Sequence, residues 1–368
     1  MPRGSSLNKV ALHVKRYLLV YSILSLLAGL IIGYEYKGFF KAYGNEVKNL
    51  IISLAILTIY PSMIQLKVEK LNSAIKKATC VAMGLTFTFL VAPPIAMEFA
   101  RFLPSKQLSI GYVVSNVVPA SSASIGYVLI AEGDIELATV LAVLSLIGAF
   151  LAIPGYLKVY ASAVAVNLPL GKIVQSLTYT LLIPFAIGQL TRYLLIKRRA
   201  ALSVINATAK VPEHPCLKGL EEAVIERKFS DLKACVEGRL ENSIKPHLSL
   251  TTMLSMLTLI ALLIANKAAK LVGHPYIALK VLGLQLLMLA LLLGLITLID
   301  KVLGVSYEDH MSIALISATK NQSVAAAIAV MALGSEAAIV PALVPVVQAP
   351  VAIAYLQAAP TLRALLKG

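Results

Sequence analysis

The 368-residue chain is poor in charge and cysteine, and it has no tryptophan. Charged residues make up 14% of it and apolar residues 58%, whereas soluble domains usually have about 25% charged and about 45–50% apolar residues. This balance excludes a disordered chain and a water-facing globule of this length. Three cysteines exclude a disulfide framework, and their spacing fits no metal site. The composition therefore predicts a polytopic membrane protein.

Motifs of the common enzyme classes are also lacking. We find no nucleophile elbow, no phosphate-binding glycine loop and no helical His pair for a metal. No basic patch is interleaved with aromatic residues, so the net charge of +15 does not indicate nucleic-acid binding. We predict a protein that is not an enzyme and that needs no cofactor, metal or nucleic acid.

Long apolar runs are what the chain has instead. A helix that crosses a bilayer needs about 20 mainly apolar residues. We predict ten transmembrane helices, near residues 17–34, 48–65, 77–98, 109–131, 136–160, 172–196, 248–266, 276–300, 310–333 and 336–357. Ten spans place both termini on one side, and the excess of Lys and Arg there predicts that this side is the cytoplasm. We expect an integral protein of the cell membrane.

Several predicted spans contain residues that usually break helices. Proline removes a backbone donor and clashes one turn back, so breaks are expected at Pro93-Pro94, Pro119, Pro154 and within 341–350. The polar run 320–322 interrupts the ninth span. In lipid, the freed carbonyl groups need partners, so such breaks normally lie inside the protein.

One long segment, residues 199–247, is polar enough to be soluble. After Pro215, apolar residues recur at spacings of three to five with Glu and Lys between them, which is a helical period. We predict an amphipathic cytoplasmic loop insert with a short helix or helical hairpin on the membrane surface. A regulatory or oligomerising role is the alternative, and the sequence does not decide the oligomeric state.

The fourth and ninth predicted spans match at an offset of 201 residues. In this register Pro119 corresponds to Lys320 and Gly133 to Gly334. With five spans in each half, the second half begins on the opposite side of the membrane. The fold class is therefore all-α, with ten helices in two inverted five-helix repeats and two discontinuous crossing helices. Residues 1–165 form the first repeat, and residues 172–198 with 248–357 form the second.

Inverted repeats with discontinuous helices are typical of secondary transporters. The ends of half-helices present N–H and C=O groups that can hold an ion or an anionic solute. This pattern predicts that a small-molecule or ion substrate is exchanged across the bilayer by alternating access. The alternative is that the small residues of the fourth span only allow two helices to pack closely.

Lys320 is the most informative single residue. An ionisable group at mid-span costs at least about 2.5 kcal/mol, and such a group usually faces a cavity or a partner. Lys320 is predicted to be a fixed positive charge for an anion or a proton carrier, and snorkelling to an interface is the alternative. Polar and helix-breaking residues around it complete the predicted substrate site: Thr319, Asn321, Gln322, Ser323, Asn116, Pro119, Ser121, Ser122 and Ser124.

Four other polar residues are predicted to have structural roles. Gln285, Thr86 and Thr88 are weaker candidates for the substrate site and are expected to join neighbouring helices by hydrogen bonds. His310 lies at a span end and is expected to be interfacial.

Four segments resemble the superfamily of bile acid:sodium symporters and arsenite-efflux permeases. They are VVPASSASIGYVLIAEGDIELATVL in the fourth span, ATKNQSVAAAIAVMALG in the ninth, IYPSMIQLKVEKL at 59–71 and APVAIAYL at 349–356. The resemblance covers nearly all of the chain except 199–247. It implies a core domain and a panel domain, two helices that cross at the midplane, and elevator-like or rocking exchange.

The resemblance also bears on whether sodium drives transport. The positions that hold sodium in the sodium-coupled members align with Ser124, Ile125, Ala138, Ala142, Ile316 and Lys320. Only Ser124 keeps a ligand, and an ammonium at Lys320 would repel Na⁺ and could replace it. We therefore expect transport of a small organic or inorganic anion that is not driven by sodium.

Three alternatives to this interpretation stay open. The first is an arsenite efflux permease, although the Cys and Glu that arsenite permeases share align near Ala120 and Ala325. The second is a sodium-coupled organic-anion symporter that transports bile-acid-like substrates. The third is a receptor that does not transport and whose 199–247 loop binds a partner.

Overall fold

All regular structure in the described residues is helical. The computed structural model describes residues 10–198 and 222–366, except residues 12, 15 and 16. A 3₁₀ segment, Val68–Lys77, precedes α4. The helices are α1 (Leu18–Glu35), α2 (Lys37–Ala42), α3 (Gly44–Gln65), α4 (Ala78–Ala100), α5 (Lys106–Val117), α6 (Ser122–Ile130), α7 (Ile135–Ala163), α8 (Leu170–Arg198), α9 (Glu222–Ala265), α10 (Ala268–Gly273), α11 (Tyr276–Val302), α12 (Tyr307–Ala318), α13 (Gln322–Leu333), α14 (Ile339–Leu343), α15 (Pro345–Gln357) and α16 (Ala359–Leu366).

Six stretches of this structure are long and apolar enough to cross a membrane. They are α3, α4, α7, α8, the Ser243–Ala265 part of α9, and α11. The chain is therefore an integral membrane protein, as its composition predicts. The other four predicted spans correspond to α1, to the broken pairs α5–α6 and α12–α13, and to α14–α15.

Two of the expected proline breaks are wrong. Pro154 lies inside α7 without ending it. Pro93-Pro94 lies in α4, where the helix widens into a π-helical turn at Phe87–Val91 immediately before the prolines. A wider turn changes which carbonyl groups need an N–H partner, so the helix can continue past residues that lack this donor.

One group of helices packs around α9. This helix lies along both α1 and α3, and α8 packs against α3. Small residues set the spacing of α1 and α9, because a side chain at Gly29 or Gly33 would collide with the carbonyl oxygens of Ala261 and Ala265. Glycine allows the two backbones this close an approach.

A second group of helices surrounds the two breaks. Helices α4, α5, α7, α11 and α12 pack on one another, and α6 and α15 complete the group. Helix α13 is buried along its first seven residues and contacts both groups, since it packs on α3 and α8 as well as on α5. The second break is therefore at the contact between the two groups.

Helix α9 differs from the expected boundary between loop and span. It has 44 residues and runs from the described half of the 199–247 segment into the seventh predicted span without a break. At a rise of 1.5 Å per residue it is about 66 Å long, which is well over the roughly 30 Å of a hydrocarbon core. Residues 222–247 therefore extend a spanning helix and do not form a separate surface helix, because the helical period of the sequence continues through them. Residues 199–221 lie outside the described residues.

Candidate binding site

Both expected helix breaks that contain site residues are present. Helix α5 ends at Val117 and α6 begins at Ser122, while α12 ends at Ala318 and α13 begins at Gln322. Each restart has a side-chain cap: the Ser121 Oγ accepts the N–H of Ala123 at 3.3 Å, and the Asn321 Oδ1 accepts the N–H of Val324 at 3.4 Å. Short polar side chains at these positions satisfy N–H groups that the first helical turn leaves free.

The two breaks pair with each other. The N–H of Asn321 donates to the carbonyl of Pro119 at 2.9 Å, and the N–H of Ser121 donates to the carbonyl of Thr319 at 3.0 Å. The result is an antiparallel bridge that places Ala120 opposite Lys320. This pairing explains how extended backbone is tolerated deep inside the protein, since each break supplies partners for the other.

Side chains bond further main-chain groups at the breaks. The Ser145 Oγ accepts the N–H of Ala120 at 3.1 Å. Gln348 binds the backbone of Lys320 twice: its Oε1 accepts the Lys320 N–H at 3.1 Å, and its Nε2 donates to the Lys320 carbonyl at 3.0 Å. Many of the helix-end groups that the sequence suggested for substrate binding are therefore already used. The groups without partners at the second break are therefore side-chain atoms.

Lys320 is buried and unpartnered at its ammonium end. The residue is 3% exposed, and its Nζ has no hydrogen-bond partner within the described part of the chain. No carboxylate among the described residues lies within ion-pair distance of it. Such burial is incompatible with snorkelling to an interface. A buried ammonium with no partner is costly, and an anion would compensate it.

Gln322 connects Lys320 to the first half of the chain. Its Nε2 donates to the carbonyl of Ser115 at 3.0 Å and to the Oε1 of Gln348 at 3.3 Å. Its own Oε1 and the hydroxyl of Ser115 have no partner in the described structure. Gln348 and Ser115 were missed at the level of sequence. The available signal for Gln348 was an amide in the middle of the largely apolar last span.

Three of the remaining predicted site residues are serines at or after the two breaks. Ser124 lies at the break, where its Oγ donates to the carbonyl of Thr319 at 3.1 Å and contacts the hydroxyl of the same residue. Ser323 is buried in α13. Ser122 starts α6, and its side chain lies outside the described part of the structure.

Asn116 is occupied by another residue. It exchanges two hydrogen bonds with Gln285, at 3.2 and 3.1 Å, and it also donates to the carbonyl of Tyr112. A substrate is not needed to satisfy this amide. The prediction that Gln285 joins helices is confirmed, as is the same prediction for Thr88, which donates to Ser317 at 3.2 Å.

The expectation that His310 is interfacial is wrong. Both His310 and Asp300 are fully buried, and the His310 Nδ1 lies 2.7 Å from the Asp300 Oδ2. The other ring nitrogen, Nε2, lies 2.8 Å from the hydroxyl of Tyr355, which is 2.6 Å from the Oγ1 of Thr297. The position of His310 near a helix end did not reveal this, because α11 and α15 cover that end.

An ionic cluster joins three element ends outside the membrane-spanning segments. Lys77 pairs with Asp134, which caps the start of α7, and with Asp309 in the first turn of α12. Burial alone would lower the pKa of Lys77, but its hydrogen bonds to the two carboxylates raise it. Burial would likewise raise the pKa of Asp134, and the hydrogen bonds from Lys77 and the Leu137 N–H hold it below its usual value.

Comparison with known proteins adds one finding. A family model described as the Sodium Bile acid symporter family matches residues 51–274, which is more than half of the chain. The match includes the first break and ends before the second. A search of curated proteins finds no matching sequence.

Proposed function

The chain belongs to the sodium bile acid symporter family, whose members are membrane transporters, and from this premise we propose that it moves a small organic or inorganic anion by alternating access. One observation carries the choice of an anion: the buried Nζ of Lys320 has no hydrogen-bond partner among the residues that the structure describes. We assign to Lys320 the role of fixed positive charge at the substrate site.

The energetics support this role. An ammonium without a partner in a low-dielectric interior costs several kcal/mol, and breaking up a buried pair costs about 3–5 kcal/mol. A protein retains such a group when another interaction offsets the unfavourable free energy of burying it. An anionic substrate that enters between the two groups of helices would do so, and its departure would restore the unfavourable state.

Coupling to sodium is not part of the proposal. Among the aligned sodium positions, Ala138 and Ala142 offer no side-chain oxygen, and the Ser124 hydroxyl is already bonded to Thr319. The ammonium of Lys320 takes the place of a cation at this position. Like charges a few ångströms apart in a buried site repel strongly, which opposes Na⁺ binding.

We further propose the architecture of ten spans in two inverted repeats with core and panel domains. Helices α5 and α12 support it, because each has 12 residues and each begins after a serine cap, Ser105 or Ser306, at the offset of 201. The antiparallel pairing of the two breaks agrees with inverted halves. The group around α9 would be the panel and the group around the breaks the core.

The domain limits and the orientation stay proposals as well. Residues 1–165 would be the first repeat, and 172–198 with 248–357 the second, with 199–247 as the insert. We propose that both termini are cytoplasmic in the cell membrane, which the distribution of Lys and Arg supports.

The test is transport by purified protein in liposomes, measured as charge movement on a solid-supported membrane. The probes are glycolate, propanoate, taurocholate and arsenite, each added as a sodium-free salt and again with Na⁺. We expect at least one carboxylate to give a response without sodium. Lys320→Met should lower that response about 100-fold or more, because the anion loses its charge partner in a buried site.

Lys280→Met is the matched control, because it removes one exposed ammonium from α11 by the same substitution. It should respond as the wild type does. Undiminished responses in Lys320→Met would place the site elsewhere. Responses that require Na⁺ would support the sodium-coupled alternative, and a response to arsenite alone would support the efflux permease.

A further inference from the structure

Buried polar atoms without partners concentrate beside the proposed site. The described part of the chain contains eight such side-chain atoms. Four of them belong to residues in the last two turns of α5, within the second break or at the start of α13: Tyr112 OH, Ser115 Oγ, Lys320 Nζ and Gln322 Oε1. Native proteins leave few such groups, so a local cluster needs an explanation.

Hydrogen bonds connect three of the four residues, directly or through Gln348. Gln322 donates to the Ser115 carbonyl, and Gln348 bonds both Gln322 and the backbone of Lys320. Tyr112 lies three residues before Ser115 on α5, which puts the two side chains on one helix face. Three of the residues are therefore joined at the second break, Tyr112 shares a face of α5 with one of them, and at most 7% of any of the four is exposed.

The amide of Gln322 can have only one orientation. Its Nε2 faces the main-chain carbonyl of Ser115 and the Oε1 of Gln348. The orientation of Gln348 is itself fixed, because it accepts from the N–H of Lys320 and donates to its carbonyl. Both neighbours of the Gln322 nitrogen are thus acceptors, so the free atom is the carbonyl oxygen, which needs a donor.

The four atoms differ in the hydrogen-bond partner that each of them requires. The Lys320 ammonium only donates, and the hydroxyls of Tyr112 and Ser115 can donate as well, so all three suit anionic oxygens. The Gln322 Oε1 only accepts. A carboxylate with no hydrogen to give would leave this oxygen unpaired.

We infer that the substrate is a small oxyanion that carries a hydrogen-bond donor of its own, in the class of short hydroxycarboxylates. The inference rests on the proposed function and narrows it. The near-complete burial of the four residues favours a compact solute over a bulky amphipathic anion. The anionic oxygens would meet Lys320, and the donor would meet the Gln322 Oε1.

The experiment compares glycolate with propanoate, which replaces the hydroxyl by a methyl group of similar size. Binding to the purified full-length protein is measured by calorimetry in sodium-free buffer at constant ionic strength. We expect the wild type to bind glycolate at least about tenfold more tightly, since leaving a buried acceptor unpaired weakens binding by about that factor or more. Methoxyacetate, which keeps the oxygen but lacks the hydrogen, should bind no better than propanoate.

Gln322→Met should remove this preference and leave an affinity for both anions that still depends on Lys320. Gln357→Met makes the same change at an exposed position of α15 and should keep the preference. Should Gln322→Met fail to fold, the ratio of the wild-type affinities for glycolate and propanoate still tests the requirement for a donor. Equal wild-type affinities that both vanish in Lys320→Met would overturn the donor requirement and leave the anion proposal intact.

Two further outcomes count against the inference. No binding of either probe would overturn the substrate class, whereas the anion proposal is judged separately by the transport of Lys320→Met. Equal loss of the preference in Gln322→Met and Gln357→Met would show that the preference does not come from the Gln322 carbonyl.

Discussion

Two buried polar regions of this protein differ in how completely their side chains are partnered. At the second break, the Lys320 ammonium and the Gln322 carbonyl oxygen have no partners in the described part of the chain. The His310 chain is defined as Thr297, Tyr355, His310 and Asp300, in which each side chain contacts the next, and among the described residues only one oxygen of Asp300 is left without a partner. The first region can gain a ligand, whereas the second has almost nothing to offer one.

Counting hydrogens shows how the His310 chain is satisfied. Thr297 donates its one hydrogen to the carbonyl of Leu293 at 2.7 Å, so Tyr355 must donate to Thr297. Tyr355 then has none left for His310, whose Nε2 must carry its own hydrogen. The contact between the His310 Nδ1 and the Asp300 carboxyl group needs a second hydrogen. All contacts are made at once when the His310–Asp300 pair holds two hydrogens, one on Nε2 and one between Nδ1 and the Asp300 carboxyl group.

The largest effect is expected in the His310 chain. Asp300→Leu should lower the free energy of unfolding by about 3–5 kcal/mol, because it leaves the His310 ring buried without its partner. The double variant with His310→Leu should recover most of the loss, since it removes both buried polar partners. Thermal and denaturant unfolding in detergent would measure this. If the single variant is as stable as the wild type, the contact between Asp300 and His310 does not stabilise the protein.

At the second break the same kind of change should have the opposite sign. Lys320→Met should raise the free energy of unfolding by about 1–4 kcal/mol, the range seen when buried ion pairs are replaced by apolar side chains of similar volume, because it removes a buried polar group that has no partner to lose. It should at the same time abolish anion transport. A destabilised Lys320→Met would mean that the ammonium has a partner in the resting protein, and the contrast between the two regions would fail.

Gln348→Leu should have a smaller effect, a loss of about 1–3 kcal/mol. It leaves the N–H and carbonyl of Lys320 unpaired inside the protein. The same unfolding measurements apply, with Gln357→Leu as the exposed control on the same helix. Equal stabilities of the two variants would show that the Gln348 amide does not hold the second break.

The smallest effect concerns the ionic cluster around Lys77, which is partly exposed and screened by solvent, so about 1 kcal/mol or less is expected. The raised pKa of Lys77 gives stability that is complete below its ordinary value and is lost as pH rises through the raised one. The lowered pKa of Asp134 gives stability that is present above its ordinary value and is lost as pH falls through the lowered one.

Comparison of wild type with Lys77→Met across pH measures this cluster. The stability difference should be constant from about pH 5 to about pH 9 and should shrink at both extremes. A difference that grows toward either extreme would contradict the assigned shifts. Lys77→Met should leave anion transport and the effect of Asp300→Leu on stability as they are in the wild type, since neither the second break nor the His310 chain includes Lys77.

The sequence predicted the breaks better than it predicted the partners. Pro119 and the polar run from Lys320 mark true breaks, because a missing N–H and short capping side chains are local properties. Pro93-Pro94 and Pro154 have the same local chemistry, yet α4 and α7 continue through them. The difference lies in what the surrounding helices supply to the freed carbonyl groups, and no single segment contains that information.

Hydrophobicity and local chemistry thus determined on their own that this chain is helical and embedded in a membrane, that it is interrupted at Pro119 and at the polar run from Lys320, and that Lys320 is exceptional. Only the tertiary structure decided which polar groups are satisfied. The side chains of Asn116 and His310 found partners on other helices, while the Lys320 Nζ and the Gln322 Oε1 have none among the described residues. Hydrogen bonding depends on distances of about 3 Å between residues far apart in the chain, and those distances arise only when the helices pack.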